Sequence, residues 1–255
     1  MIKGIFKGKE VAVPEHVDEL THEQYRRLLK LAMLLNYGAL TVRDFMVSWL
    51  SWLLGLRNYL YTDLVEQYRT ETERFMPAMA AFVTRTHDGR DIARLDTVCN
   101  LMPVFSEWQG PGDFLHGVKF GEFVRCLNLL REVGGGDSDA AVEMARVLYH
   151  IPDGSTPPPE LVLHSVTLFS AVWEAIVSAP VQLNGEPVDL GIIFKPAGGS
   201  KRADDHTGWA GVTFEVAAAG VFGTVKDVDE APYLDVLLYL YKMKFEYLHD
   251  KTDMK

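Results

Sequence analysis

The chain has 255 residues, 48% of them hydrophobic and 24% charged, and a formal net charge of -10. That length and composition suit one or two domains able to bury a core without disulfides or metal, and exclude disorder along the whole chain. The negative charge disfavours nucleic acid and anionic membranes, because phosphate binding is driven by Lys and Arg displacing counterions.

Residues 1 to 13 place Ile2, Ile5, Val11 and Val13 on either side of Gly8-Lys9, which predicts a small β-hairpin ended by Pro14. Nothing in this opening resembles the apolar core of a signal peptide, so none is expected. Thr21 with Gln24 forms a capping box ahead of Tyr25, Leu28, Leu29, Ala32 and Leu35, which repeat at helical spacing up to Gly38. Thr41 caps a second helix, with Asp44 in its first turn. In it Phe45, Trp49, Trp52 and Leu56 form one stripe, while Met46, Leu50, Leu53 and Leu54 make the other side apolar too. This apolar stretch, Phe45 to Leu56, falls short of the about 20 residues a bilayer span needs, so no membrane crossing is expected.

A further helical stretch is expected over 57–83 (Tyr59, Leu60, Leu64, Tyr68), broken or kinked at Pro77. Patterning is poor from 84 to 117, with a turn at His87-Asp88-Gly89, a short strand within 98–105 and a loop at Gly110-Pro111-Gly112. Helices follow over 118–132, stopped by Gly134-Gly135-Gly136, and from a cap at Asp137 or Ser138 to about His150. The run Asp153 to Pro159 is either a boundary between segments 1–152 and 160–255 or a loop inside one domain. Residues 160–178 carry only Glu160 and Glu174 as charges and should form the most buried helix, with Val162, Val166, Phe169, Trp173 and Ile176 on one face. Asn184-Gly185 marks a second hairpin around 181–190. After a polar loop, Trp209 to Phe222 form a short apolar element, Thr224 and Asp227 are turn or cap residues, and a last helix covers about 232–249. The fold expected is therefore mainly α, with small β-hairpins near the N-terminus and around 181–190.

No residue set has the spacing of a catalytic or metal site. His22-Glu23 lacks the second histidine of a zinc-protease motif and sits where a helix favours Glu. Asp204-Asp205-His206 are neighbours on one loop, pointing different ways. Asp137 and Asp139 lack the other ligands of a calcium loop, and Gly198-Gly199-Ser200-Lys201 lacks the phosphate-loop spacing. There is no GxSxG elbow. Cys99 and Cys126 form no CxxC pair, and Cys126 lies in an apolar helical run as a small core residue, which fits a reducing, cytoplasmic setting.

The apolar residues are more plentiful than one core stripe per helix requires. The last helix carries Leu234, Leu237, Leu238, Tyr241, Phe245 and Leu248 on one stripe and Tyr233, Val236, Leu240, Met243 and Tyr247 on another. A second stripe implies burial on two sides or a protein interface. Helices 41–56 and 232–249 are thus the expected partner-binding elements, with Trp49, Trp52, Leu237, Tyr241 and Phe245 as anchors and no cofactor or metal involved.

The stretch with Gly208-Trp209, Val216-Ala217, Gly220-Val221-Phe222-Gly223, Val228, Pro232-Tyr233 and Val236-Leu237-Leu238-Tyr239-Leu240 resembles tail assembly chaperones of tailed phages and prophages. The opening, with Leu20-Thr21, Glu23-Gln24-Tyr25 and Asp44-Phe45, is similar to other phage proteins. The resemblance covers about half the chain and implies a cytoplasmic, non-enzymatic protein that holds apolar helices of a tape-measure-like tail protein. The alternatives are a structural virion component, or a small-ligand or phosphate binder or enzyme using the loop 195–209 with Lys201, Arg202 and His206.

Overall fold

The computed structural model describes residues 1–56, 72–183, 185–195 and 208–253, with the backbone alone for 249–253. Most of the expected helical stretch 57–83 and the loop 196–207 lie outside the described residues. The fold is mainly α, and its sheets are all two-stranded.

Strands β1 (Ile2–Phe6) and β2 (Lys9–Val13) pair antiparallel, with Phe6 opposite Lys9. The turn is therefore Lys7-Gly8, one residue earlier than expected. Both residues have positive φ, 49° and 73°, as a two-residue turn matching strand twist requires, and glycine meets that demand without strain. Helix α1 (His22–Asn36) opens on the Thr21–Gln24 capping box, and α2 (Val42–Leu53) on Thr41, whose side chain accepts from the Asp44 amide. Each helix ends by the same device. After α1, Gly38 takes φ 72° and the Gly38 and Ala39 amides reach back to the Leu35 and Leu34 carbonyls. After α2, Gly55 and Leu56 do the same to Trp52 and Ser51.

Short elements fill the stretch where patterning was poor. Pro77 does not break a helix but sits in the first turn of α3 (Met76–Ala80), where its missing N–H costs nothing. Two hairpins follow, β3 (Val83–Arg85) with β4 (Asp91–Ala93), and β5 (Val104–Phe105), which falls within the expected strand 98–105, with β6 (Trp108–Gln109); the pairing of neither was expected. The His87-Asp88-Gly89 turn closes the first of them.

Helix α4 (Phe120–Gly134) runs into the glycines, and Gly136 at φ 95° ends it. Asp137 then serves both neighbours. Its amide closes α4 on the Glu132 carbonyl, and its carboxylate caps α5 (Ser138–Tyr149) through the Asp139 and Ala140 amides. Helix α6 (Pro159–Ser178) buries Leu161, His164, Ser165, Leu168, Phe169, Val172 and Ile176. The expected face is thus rotated by one position, with Val162, Val166 and Trp173 only half-buried. Nor is α6 the most buried helix: seven of its 20 residues are buried, against six of 12 in α5. By length and composition it is the one described helix that matches a membrane span, and its inner face packs within the chain.

The second expected hairpin is present as β7 (Val181–Leu183) and β8 (Glu186–Val188), followed by a 3-10 turn over Leu190–Phe194. The apolar element after the loop is helix α7 (Gly208–Ala218). Thr224 and Asp227 form the capping box of α8 (Val225–Glu230), and α9 (Tyr233–Asp253) closes the fold. One hydrophobic cluster runs from Val13 through Tyr25, Phe123, Leu148 and Phe169 to Leu237. Residues on both sides of the Asp153–Pro159 connection, from 1–152 and from 160–255, belong to that cluster.

Candidate functional site

The five expected anchors separate into three environments. Trp49 and Leu237 are fully buried in the chain's own core and are withdrawn as contact residues. Trp49 stacks on Trp52 at 5.6 Å and meets the edge of Phe82 at 6.1 Å, which is core packing. Both faces of α2 are apolar because both are used inside the molecule. Trp52 and Tyr241 are half-buried at the edge of the core. Phe245 alone of the five is exposed, at 45%, and its ring stacks on Tyr241 at 5.9 Å.

The first half of α9 explains why its two stripes differ in use. The Tyr233 ring stacks on Phe123 at 4.6 Å, and its hydroxyl donates to the Phe114 carbonyl at 2.6 Å. Val236 and Leu237 are buried beside it. Beyond Tyr241 the helix rises out of the core, with Met243, Phe245, Tyr247 and Leu248 all exposed. The Lys244 ammonium donates to the Lys195 carbonyl and holds this half of the helix to the 3-10 turn.

A second apolar surface escaped the sequence reading. Helix α7 holds one charged residue, Glu215, yet buries only Thr213 and Val216. Phe214 is 62% exposed, and Val221, just past the helix, is also 62% exposed. A surface helix ordinarily turns polar residues to water, and the exposed apolar side chains of this stretch depart from that pattern. The signal lay in the near absence of charge over 208–223, which core packing explains equally well from sequence alone.

The most connected polar group lies inside, and it too was missed. The Tyr25 hydroxyl is 2.9 Å from His164 Nδ1, and His164 Nε2 is 3.0 Å from Asn100 Oδ1. The Asn100 amide is oriented by the backbone: Nδ2 donates to the Pro111 carbonyl at 2.6 Å, and Oδ1 accepts from the Met102 amide at 2.8 Å. Oδ1 can only accept, so His164 Nε2 carries the proton and Nδ1 accepts from Tyr25. The ring is therefore neutral. Burial holds its pKa down to about 3. The same burial pushes the Tyr25 phenol far above its ordinary value. Tyr149, donating to the Met102 carbonyl at 2.7 Å, completes the group. Tyr25 and His164 have no exposed surface, so the cluster meets no reactant and acts as a tie between α1, α5, α6 and the loop 94–118.

Ion pairs such as Arg85–Asp91 and Arg90–Asp88 lie at the surface and join local partners. Among the described residues no three His, Cys, Asp or Glu side chains are grouped to hold a metal ion. Burial raises the pKa of both thiols, with Asp113 and Asp18 adding to the effect at Cys99, so neither is an activated nucleophile. His22-Glu23 stands at the start of α1, and Asp137 is a helix cap. Gly198–Lys201, Arg202 and Asp204-Asp205-His206 lie outside the described residues. Comparison with protein-family models, curated proteins and solved structures returned no match.

Proposed function

We propose that this chain is a protein-binding assembly factor that acts without cofactor and grips an amphipathic helix of its partner through α7 and the outer half of α9. The observation that carries the reading is α7, which has Glu215 as its one charge and leaves Phe214 exposed, with Val221 exposed just past its end. Large aromatic and aliphatic side chains in water are the usual anchors of a helix-in-groove complex. The chain's net charge of -10 favours a partner that is apolar with basic flanks, and keeps the pair soluble.

The finer reading is a tail assembly chaperone for a tape-measure-like protein. Gly208-Trp209, Val216-Ala217 and Gly220–Gly223, which carry the resemblance to such chaperones, fall in and just after α7, where the apolar exposure is. A tape-measure-like protein is a long series of apolar helical stripes that must stay unaggregated before the tail tube forms around it.

The test is co-expression with a tape-measure-like protein from a tail gene cluster, followed by affinity measurement on the purified pair. Phe214→Ser with Val221→Ser should cost about 2 kcal/mol, roughly thirtyfold in Kd, and return the partner to the insoluble fraction. Both side chains are in water, so the melting midpoint should not fall. Unchanged affinity with an intact fold would remove α7 from the interface. Recovery of the chain in purified particles would assign it to the virion instead.

A further inference from the structure

The face where α4, α6, α7 and the 3-10 turn meet holds a pocket of about 260 Å³ lined by Leu127, Leu130, Arg131, Trp173, Phe194 and Trp209. Three aromatic rings build its wall, the first pair edge-on and the second tilted. Trp173 and Phe194 lie 4.8 Å apart at 74°, and Phe194 and Trp209 lie 5.9 Å apart at 60°. Leu127 is buried below, whereas Leu130, Trp173, Phe194 and Trp209 are half-buried, the degree of exposure expected of a wall rather than of a core. Arg131, on the last turn of α4, is exposed and makes no ion pair among the described residues.

The polar chemistry of this lining is one-sided. A guanidinium has five donors and no acceptor, and an indole N–H only donates. The remaining lining side chains, two leucines and a phenylalanine, offer neither. Among the described residues the lining side chains therefore offer donors only, one of them carrying a full positive charge. The volume lies just below the roughly 300 to 1,000 Å³ of pockets for drug-sized ligands, so it suits one ring and a short arm.

We propose that this pocket binds a small apolar monoanion, an aryl-alkyl carboxylate, with its ring against Trp173, Phe194 and Trp209 and its carboxylate on Arg131. A single guanidinium pairs bidentately with one carboxylate, and the aromatic wall gives the ring of the ligand an apolar surface to lie on. Trp209 of α7 lines the pocket, whereas the exposed Phe214 and Val221 of the proposed protein-binding surface do not, so ligand binding and partner capture are tested apart.

The full chain is titrated with 3-phenylpropionate and with its neutral amide, followed by tryptophan emission and by leucine methyl shifts in NMR. The acid should bind about tenfold tighter than the amide, because the amide keeps the ring contacts and loses the charge pair. Arg131→Gln should erase that difference without moving the melting midpoint, since the side chain is exposed. Leu130→Trp, which fills the pocket, should abolish binding of both. Equal affinity of acid and amide, a preference that survives Arg131→Gln, or no methyl shift at Leu127 and Leu130 at millimolar acid would each overturn the proposal.

Discussion

Burial decides what His164 does. An imidazole held at a pKa of about 3 in the fold, against 6.5 in an open chain, is a base the folded protein keeps unprotonated. The sign follows from proton counting. Between those two values the unfolded chain binds the proton and the folded chain does not, so stability is full above pH 6.5 and falls as pH drops toward 3. The slope is about 1.4 kcal/mol per pH unit. Carboxylates titrate in the same range, so the contribution is read as a difference. Urea unfolding of the wild type and of His164→Gln at pH 7 and pH 5 should show the wild type's advantage shrinking by about 2 kcal/mol. A constant difference would mean the ring is not held neutral. Asn100→Ala should cost about 1–3 kcal/mol at pH 7, because it strips a buried acceptor from the Met102 amide and from His164 together. None of this was legible beforehand. Tyr25 and Asn100 lie 139 and 64 residues from His164, and in the sequence His164 is one polar residue in an apolar helix. By contrast, Cys126 read correctly as a core residue, because its apolar neighbours are its immediate ones.

At the scale of elements, what was legible is what is local. The Thr21 capping box, the Thr41 cap and the Gly38 end of α1 are each settled within a few residues, so the local pattern revealed them, and it narrowed Thr224, Asp227 and Asp137 to turn or cap positions. Of the hairpins β3–β4 and β5–β6, the sequence showed the first turn and a strand within 98–105 but not the pairings, because strands of three and two residues carry too little alternation to register. The face of α6 was misjudged for the opposite reason: apolar residues surround it, so periodicity cannot choose a side, and hydrogen bonding to His164 chooses instead. One helix end departs from the rule its neighbours follow. α5 closes with the His150 and Ile151 amides reaching the Val147 and Arg146 carbonyls, the same pattern as α1, but the left-handed residue is His150 at φ 50° rather than glycine. A side chain there strains against the backbone, and its compensation is a 3.6 Å approach of the exposed His150 ring to the Glu122 carboxylate. His150→Gly should therefore stabilise the protein by about 0.5–1 kcal/mol despite the added chain freedom of glycine. A raised melting midpoint in calorimetry is the expected result; a lowered one would show that the Glu122 contact outweighs the strain.

The whole molecule packs together the two segments flanking Asp153–Pro159, which the sequence left open as separate domains or one. Tyr25 in α1 meets His164 in α6, and Tyr233 in α9 bonds the Phe114 carbonyl. The Phe120 and Tyr233 amides bond the Ala231 and Val118 carbonyls across the same join. A Pro-rich connection reads from sequence as a linker because composition reports its stiffness and not what packs on either side of it. The same blindness to long-range packing made Trp49 and Leu237 look like spare surface, while α7, whose exposure is real, resembled core. Since the two segments bury one another's apolar residues, neither can open without exposing the shared cluster, and the chain should unfold as one unit. Native-state hydrogen exchange tests this directly. The slowest amides of α1, at Leu28 and Leu29, and of α6, at Leu168 and Phe169, should share one opening free energy and one dependence on denaturant. Two separate values, with 160–255 opening while 1–152 stays protected, would restore the two-domain division. The outer half of α9 should exchange far faster than Val236 and Leu237 on the same helix, and a bound partner helix should slow it, so that one measurement distinguishes the part of the chain that holds the fold from the part offered to another protein.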